Sequence, residues 1–175
     1  MTQRPLLKRV KLTSRMNLFL DYTIPQTPFW DICCDHGLVG LGMMVLKKTS
    51  SHVHFVDCVP HIMDKLEYKI ANLFHAPTIP FTLHLSKGQD LKENVDGVVL
   101  IAGVGGLTIK NILSSLQGLG FLQAKRLILS PHTDINVLEN FFSGTQFSKQ
   151  YFLNAKLNVV VGKKEKPLYI FDLKE

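Results

Sequence analysis

The side chains able to do chemistry on a ligand cluster in a few short stretches. Asp31, Asp35 and His36 fall together in Phe29-Trp30-Asp31-Ile32-Cys33-Cys34-Asp35-His36-Gly37-Leu38. Carboxylates and an imidazole are groups that take up, hold and release protons near neutral pH. An apolar stretch runs into Asp31, a polar turn follows, and an apolar helix is expected from about Leu38. A carboxylate ending a first strand, before a turn that opens a helix, is where open α/β sheets bind nucleotides. The helix start also offers free N–H groups to an anion. Only Gly37 is present in the turn and Cys33 sits where a glycine would be expected, so the stretch is a cofactor turn that argues against ordinary NAD binding.

Regular elements must hold these groups in place. Leu12, Met16, Phe19 and Leu20 recur at helical spacing, with Thr13 or Ser14 as cap, and Pro25 and Pro28 end that segment. Residues 29–33 read as strand one and 38–48 as the next helix. Residues 52–58 alternate as strand two; Pro60 opens a helix to about residue 75, with Ile62, Leu66, Ile70 and Leu73 as its apolar stripe. Residues 81–85 and 98–102 read as strands three and four, each followed by a turn, and a helix runs to about 116. Residues 127–130 form strand five, and Asp134 caps a helix through 142. Residues 151–161 and 167–173 read as a hairpin joined by 162–166. The expectation is an α/β domain spanning 1–175, with an N-terminal helical segment over 1–27. Its sheet would be mostly parallel, with a C-terminal antiparallel hairpin and helices on both faces.

Composition narrows the function classes. Hydrophobic residues make up 46% and charged residues 19%, which fits a globular protein and excludes a disordered one. No apolar run reaches the roughly 20 residues that span a bilayer, and the N-terminus lacks a signal peptide's apolar core. A cytoplasmic location is expected. The net charge of +6 favours a polyanionic partner. The denser basic groups are Lys8, Arg9, Lys11 and Arg15 near one end and Lys163, Lys164 and Lys166 near the other. Cys33, Cys34, Cys58 and His36 lack C-x-x-C spacing, so small, buried, reduced cysteines are expected there rather than a metal.

At the strand ends stand Asp31, Asp57 with Cys58, Gln89 with Asp90, Ala102-Gly103 before Gly105 and Gly106, and Ser130-Pro131-His132. With S-adenosylmethionine as ligand, each has a role. Asp31 and the turn through Cys33 to Gly37 hold the amino-acid end, and Asp57 accepts from the ribose. Gln89 or Asp90 meets the adenine amine, and Ala102-Gly103 lines the adenine and the approaching substrate. The plainer readings are that Asp57 is a solvated acid or helix cap, that Gln89 and Asp90 are turn residues, and that the G-x-G-G run only lets a helix pack closely.

Asp31-Ile32-Cys33-Cys34-Asp35-His36 resembles the D-I-G-S/C-D-H motif of the bacterial tRNA (adenine-22-N1) methyltransferases, the TrmK family. Ile101-Ala102-Gly103-Val104-Gly105-Gly106 is similar to that family's I-A-G-M-G-G, Leu127 to Pro131 to its L-I-L-Q-P, and Leu12 to Arg15 to its L-S-x-R. The resemblance implies a Rossmann-like class I methyltransferase fold, S-adenosylmethionine as donor, and methylation of adenine N1 in tRNA. In that reaction a carboxylate near the exocyclic amine would stabilise the cationic product and take its proton; Asp35 is expected in that role, with His36 supporting the geometry or contacting the donor. Gly105, Gly106, Ser130, Pro131 and His132, with the basic residues Lys8, Arg9, Lys11 and Arg15, would face the substrate. Cys33 replaces the family's motif glycine, Gln89 replaces an acid, and the family's helical C-terminal region has no counterpart in these 175 residues. A non-catalytic RNA- or protein-binding domain and a small-molecule methyltransferase are the competing expectations.

Overall fold

The computed structural model describes residues 10–46, 50–74, 77, 79–162 and 164–175. Seven strands form one sheet: β1 (Phe29–Ile32), β2 (Val53–Asp57), β3 (Phe81–Leu85), β4 (Val95–Ala102), β5 (Leu122–Ser130), β6 (Tyr151–Val161) and β7 (Lys164–Leu173). Their order is β3-β2-β1-β4-β5-β7-β6, parallel from β3 to β5, with β7 antiparallel to both β5 and β6. The order reverses between β1 and β4, which opens a crevice beyond their carboxyl ends. The fold matches the α/β expectation, hairpin included.

Burial on both faces explains the apolar strands. All four residues of β1 are buried, and so are five consecutive residues of β4 from Gly97 to Ile101. On one face lie α1 (Ser14–Asp21), α2 (Leu38–Leu46) and α3 (Pro60–Leu73), whose Phe19, Leu20, Leu41, Met43 and Leu66 share a core with Phe55. On the other lie α4 (Gly106–Gly118), α5 (Ile135–Phe142) and α6 (Thr145–Gln150), with Ile109, Leu113, Leu138 and Phe147 packed on Trp30, Tyr169 and Phe171. Thr13 caps α1 by accepting from the Met16 N–H. Arg126 clamps the end of that segment: it grips Asp172 through two bonds of 2.6 and 2.8 Å and donates to the Tyr22 carbonyl.

Several boundaries differ from the sequence expectation. β5 begins at Leu122 because Leu122 and Ala124 face inward while Gln123 and Lys125 face solvent, an amphipathic start that breaks the apolar run. β4 begins at Val95 and bends at Gly97, where φ is 63° and a Cβ would lie 2.3 Å from the Pro28 carbonyl oxygen. The charged Lys164-Glu165-Lys166 belongs to β7, so the hairpin turn centres on Gly162 and is shorter than 162–166. Asp134 occupies the N-cap position of α5, but its carboxylate accepts from the Thr133 hydroxyl and not from a helix N–H. The crossover from β3 to β4 holds a single 3-10 turn (Gly88–Asp90) in place of an α-helix. His52, His54 and His84 therefore remain half-buried on the α4 side of the sheet, beyond the reach of that helix.

Candidate active site

At the reversal point the carboxyl ends of the parallel strands frame two adjoining cavities. The larger, about 690 Å³, is lined by Arg15, Asp31, Asp35, His36, Gly103 and His132 among others. The smaller, about 330 Å³, is lined by Cys58, Lys87, Gln89 and Thr108. Cys33, Asp57 and Val104 line both, so the two form one elongated trench across the sheet edge.

The turn after β1 is built on left-handed backbone at alternate residues: φ is 59° at Cys33, 50° at Asp35 and 63° at Gly37. Each non-glycine residue in that region costs about 1–2 kcal/mol, less for aspartate, whose short polar side chain tolerates it. Neighbouring strand ends hold the turn there. The Cys34 N–H donates to the Val56 carbonyl, and the Asp35 N–H donates to Asp57 Oδ2 at 3.1 Å. Asp57 Oδ1 accepts from the Val59 N–H, also at 3.1 Å, so this carboxylate joins the turns after β1 and β2. The Asp35 and His36 side chains stand in the open mouth of the larger cavity, 69% and 61% exposed and 3.8 Å apart.

The cysteines do not form one buried set as expected. Cys34 is buried, Cys33 half-buried and Cys58 exposed. Burial, then the charge of Asp57, pushes the Cys33 thiol up to about 12, and burial with Asp31 raises Cys34 too. Both remain protonated and poorly nucleophilic.

Asp31 lies beneath the turn, 5% exposed, and its Oδ2 accepts from the Gly40 N–H at 3.0 Å. Burial raises its pKa to about 7 against the pull of that bond, with Asp57 and Asp35 adding to the rise. The folded state thus keeps a proton that the unfolded chain loses near its ordinary value of 3.8, so stability falls as pH rises from there to about 7 and levels off above. Asp31→Asn is expected to gain on the parent over that window, by on the order of a few kcal/mol. Denaturant midpoints of both proteins at pH 4.5 and 8 measure it; a constant difference between them would remove the shift.

Arg15 enters this site from α1. Its Nη1 donates to His132 Nε2 at 2.9 Å, and its Nη2 donates to the Ser130 hydroxyl and carbonyl at 2.9 and 3.2 Å. Its Nε is buried with no partner among the described residues. The Lys166 ammonium donates to the His132 carbonyl, and burial, then Arg15 and Lys166, lowers the His132 pKa. That keeps the imidazole neutral, with Nε2 free to accept.

Of the residues expected at the site, Asp31, Cys33, Asp35, His36, Asp57, Cys58, Gln89, Ala102, Gly103, Arg15 and His132 line the trench. Others do not. Ser130 and Pro131 are buried and support Arg15 and His132 from below. A Cβ on Gly106 would meet the Asp134 carbonyl at 2.4 Å and one on Gly105 the Asp134 carboxylate at 2.7 Å, so these glycines serve close packing. Gly37 packs against Leu66, and Asp90 is exposed outside both cavities. Lys11 is exposed, while Lys8, Arg9 and Lys163 lie outside the described residues. Sequence reasoning missed Thr13, Phe19, Val104 and Gly162 as lining residues. Val104 lies within the quoted glycine motif but has no polar group to single it out, and no local pattern marks the other three, because the α1 segment and the hairpin tip reach the cavity only through tertiary packing.

A family model described as methyltransferase domain matches residues 12–152. No curated protein matches the sequence. Among solved structures, Streptococcus pneumoniae Sp1610, a candidate tRNA (m1A22) methyltransferase, superposes with a TM-score of 0.78 at 20% identity, covering 93% of this chain and 71% of that one. The B. subtilis m1A22 tRNA methyltransferase TrmK gives 0.77 at 17% identity, over 95% and 68%. M. capricolum TrmK, solved with S-adenosyl-homocysteine, gives 0.74 at 19% identity, over 92% and 68%. At these identities the likeness is one of fold.

Proposed function

The chain belongs to the methyltransferase-domain family, and from that premise we propose that it methylates N1 of an adenine in tRNA with S-adenosylmethionine as donor. The observation that carries this reading is the continuous trench at the sheet's reversal point, with an acid at each of two adjacent strand ends. The trench suits an elongated ligand with an amino acid at one end and a nucleoside at the other. Asp57 stands where the cavities meet and would accept from ribose hydroxyls; Gln89, in the smaller one, would meet the adenine. Asp31 would face the ammonium, and the half-buried Arg15, with its unpartnered Nε, suits a carboxylate or phosphate oxygen. Cys33 keeps the left-handed backbone that a glycine would adopt there, so the turn retains its shape with a thiol in its wall.

When bound, S-adenosylmethionine would supply an electrophilic methyl group, its S–CH3 bond breaking to leave neutral S-adenosyl-homocysteine as the bond to adenine N1 forms, so no protein nucleophile is required. The methylated base is cationic until its exocyclic amine loses a proton. Asp35, exposed at the cavity mouth, would stabilise that charge and accept the proton, with His36 beside it. The test is labelled methyl transfer to total tRNA, with 1-methyladenosine expected on nucleoside analysis. Donor binding without transfer to any RNA would favour the non-catalytic reading, and transfer only to small molecules the other alternative.

The net charge of +6 predicts RNA binding that weakens steeply with salt, because phosphate contacts release counterions. Replacing Lys8, Arg9 and Lys11 with alanine is expected to reduce the log–log salt slope by about 2–3 if each meets a phosphate. Filter binding across a salt series measures this, and an unaltered slope would assign the three residues to solvated surface.

A further inference from the structure

On the part of the sheet that the helix-free crossover leaves open, rings stack in a row. His54 lies on Trp30 with centroids 3.7 Å apart and planes 4° apart; His52 follows at 4.4 Å and His84 at 5.2 Å from His54. His54 Nδ1 and His84 Nε2 point at each other across 3.0 Å, and the second nitrogen of His84 faces Glu93 Oε1 at 3.3 Å. One donor atom from each of His54, His84 and Glu93 lies within 4.8 Å of the other two. Methyl transfer makes no use of this cluster.

We propose that His54, His84 and Glu93 form a binding site for a divalent transition-metal ion of the zinc class. Ligand atoms about 2.0–2.2 Å from a tetrahedral ion sit roughly 3.3–3.5 Å from each other, so donor atoms now within 4.8 Å of one another must draw in further, and His84, whose two nitrogens face His54 and Glu93 separately, must present one of them to the ion. Glu93, half exposed on the crossover, is free to move. Two imidazoles and one carboxylate suit zinc, cobalt or nickel, whereas magnesium and calcium call for oxygen ligands.

The position gives such an ion a mechanical role. It would join β2 through His54, β3 through His84 and the crossover through Glu93, where other α/β crossovers are fixed by a helix. Glu93 lies four residues beyond Gln89, which lines the smaller cavity, so the ion would also steady one wall of the trench. The inference rests on the cluster alone and holds whether or not the chain methylates tRNA.

Trp30 is the chain's single tryptophan and stacks on a proposed ligand, so its fluorescence reports directly on the site. Chelator-treated protein titrated with Co²⁺ is expected to show saturable one-to-one quenching, with visible cobalt bands that Zn²⁺ abolishes. Glu93→Gln, at a half-exposed position, should weaken the ion by about tenfold or more, and His84→Asn should abolish the site. Absence of saturable quenching up to millimolar Co²⁺ would overturn the proposal. So would equal affinity in the parent and Glu93→Gln, which would move the ion to other histidines such as His36, His61 or His132. Should His84→Asn fail to fold, Glu93→Gln decides alone.

Discussion

Asp35→Asn is expected to lower methyl transfer about a hundredfold or more, the usual scale for a positioned proton acceptor, with donor affinity and Tm nearly unchanged. Asparagine is the informative replacement because Asp35 sits at φ 50°, a region that asparagine tolerates as well as aspartate does. The N–H bond to Asp57 comes from the backbone and survives the change. The side chain is 69% exposed, so little packing is lost. What disappears is the negative charge that would meet the cationic base. Single-turnover rates and donor affinity measured on one preparation decide the matter. A rate within a fewfold of the parent would make Asp35 a conformational residue of the turn and place the proton acceptor elsewhere.

Asp57→Ala should weaken donor binding by roughly ten- to a hundredfold, the consequence of losing a charge-assisted bond of about 1.5–3 kcal/mol. Two effects contribute. The ribose hydroxyls would lose their acceptor, and the Asp35 and Val59 N–H groups would lose theirs, loosening both turns. Asp57→Asn separates them, since an amide oxygen can still accept one of those N–H bonds while the charge is gone. Calorimetry with S-adenosyl-homocysteine is the measurement. Parent-like affinity in the alanine variant would show that the ribose does not lie at this strand end.

What could be read before the structure was known follows from where burial leaves a periodic trace. β1 and β4 are buried on both faces, so their apolar runs marked the ends at which Asp31 and Ala102 stand. The start of β5 was hidden because Gln123 and Lys125 face water. Arg15 is marked in the sequence by its motif and its charge, but its pairing with Ser130 and His132 spans more than a hundred residues and leaves no local signature. Gly105 and Gly106 illustrate the opposite difficulty. The family resemblance implies contact with substrate, yet the space beside them is filled by Thr133 and Asp134, side chains at Gly105 and backbone at Gly106. Cys33 was legible as an anomaly, but its left-handed conformation became visible only with the turn held from both sides.

One wall of the larger cavity is a short helix with its own local equilibrium. α1 has eight residues, too few to persist as an isolated helix in water, and it supplies Ser14, Arg15, Met16 and Phe19 to that wall. It stays in place through the buried Phe19 and Leu20 and through the grip of Arg126 on the Tyr22 carbonyl. Affinity for any ligand that touches Arg15 is therefore the intrinsic affinity scaled by the fraction of molecules with α1 docked. Leu20→Ala, a substitution outside the cavity lining, would lower that fraction and imitate the loss of a ligand contact. A bound ligand would act in reverse, slowing amide hydrogen exchange along α1 before any other helix responded.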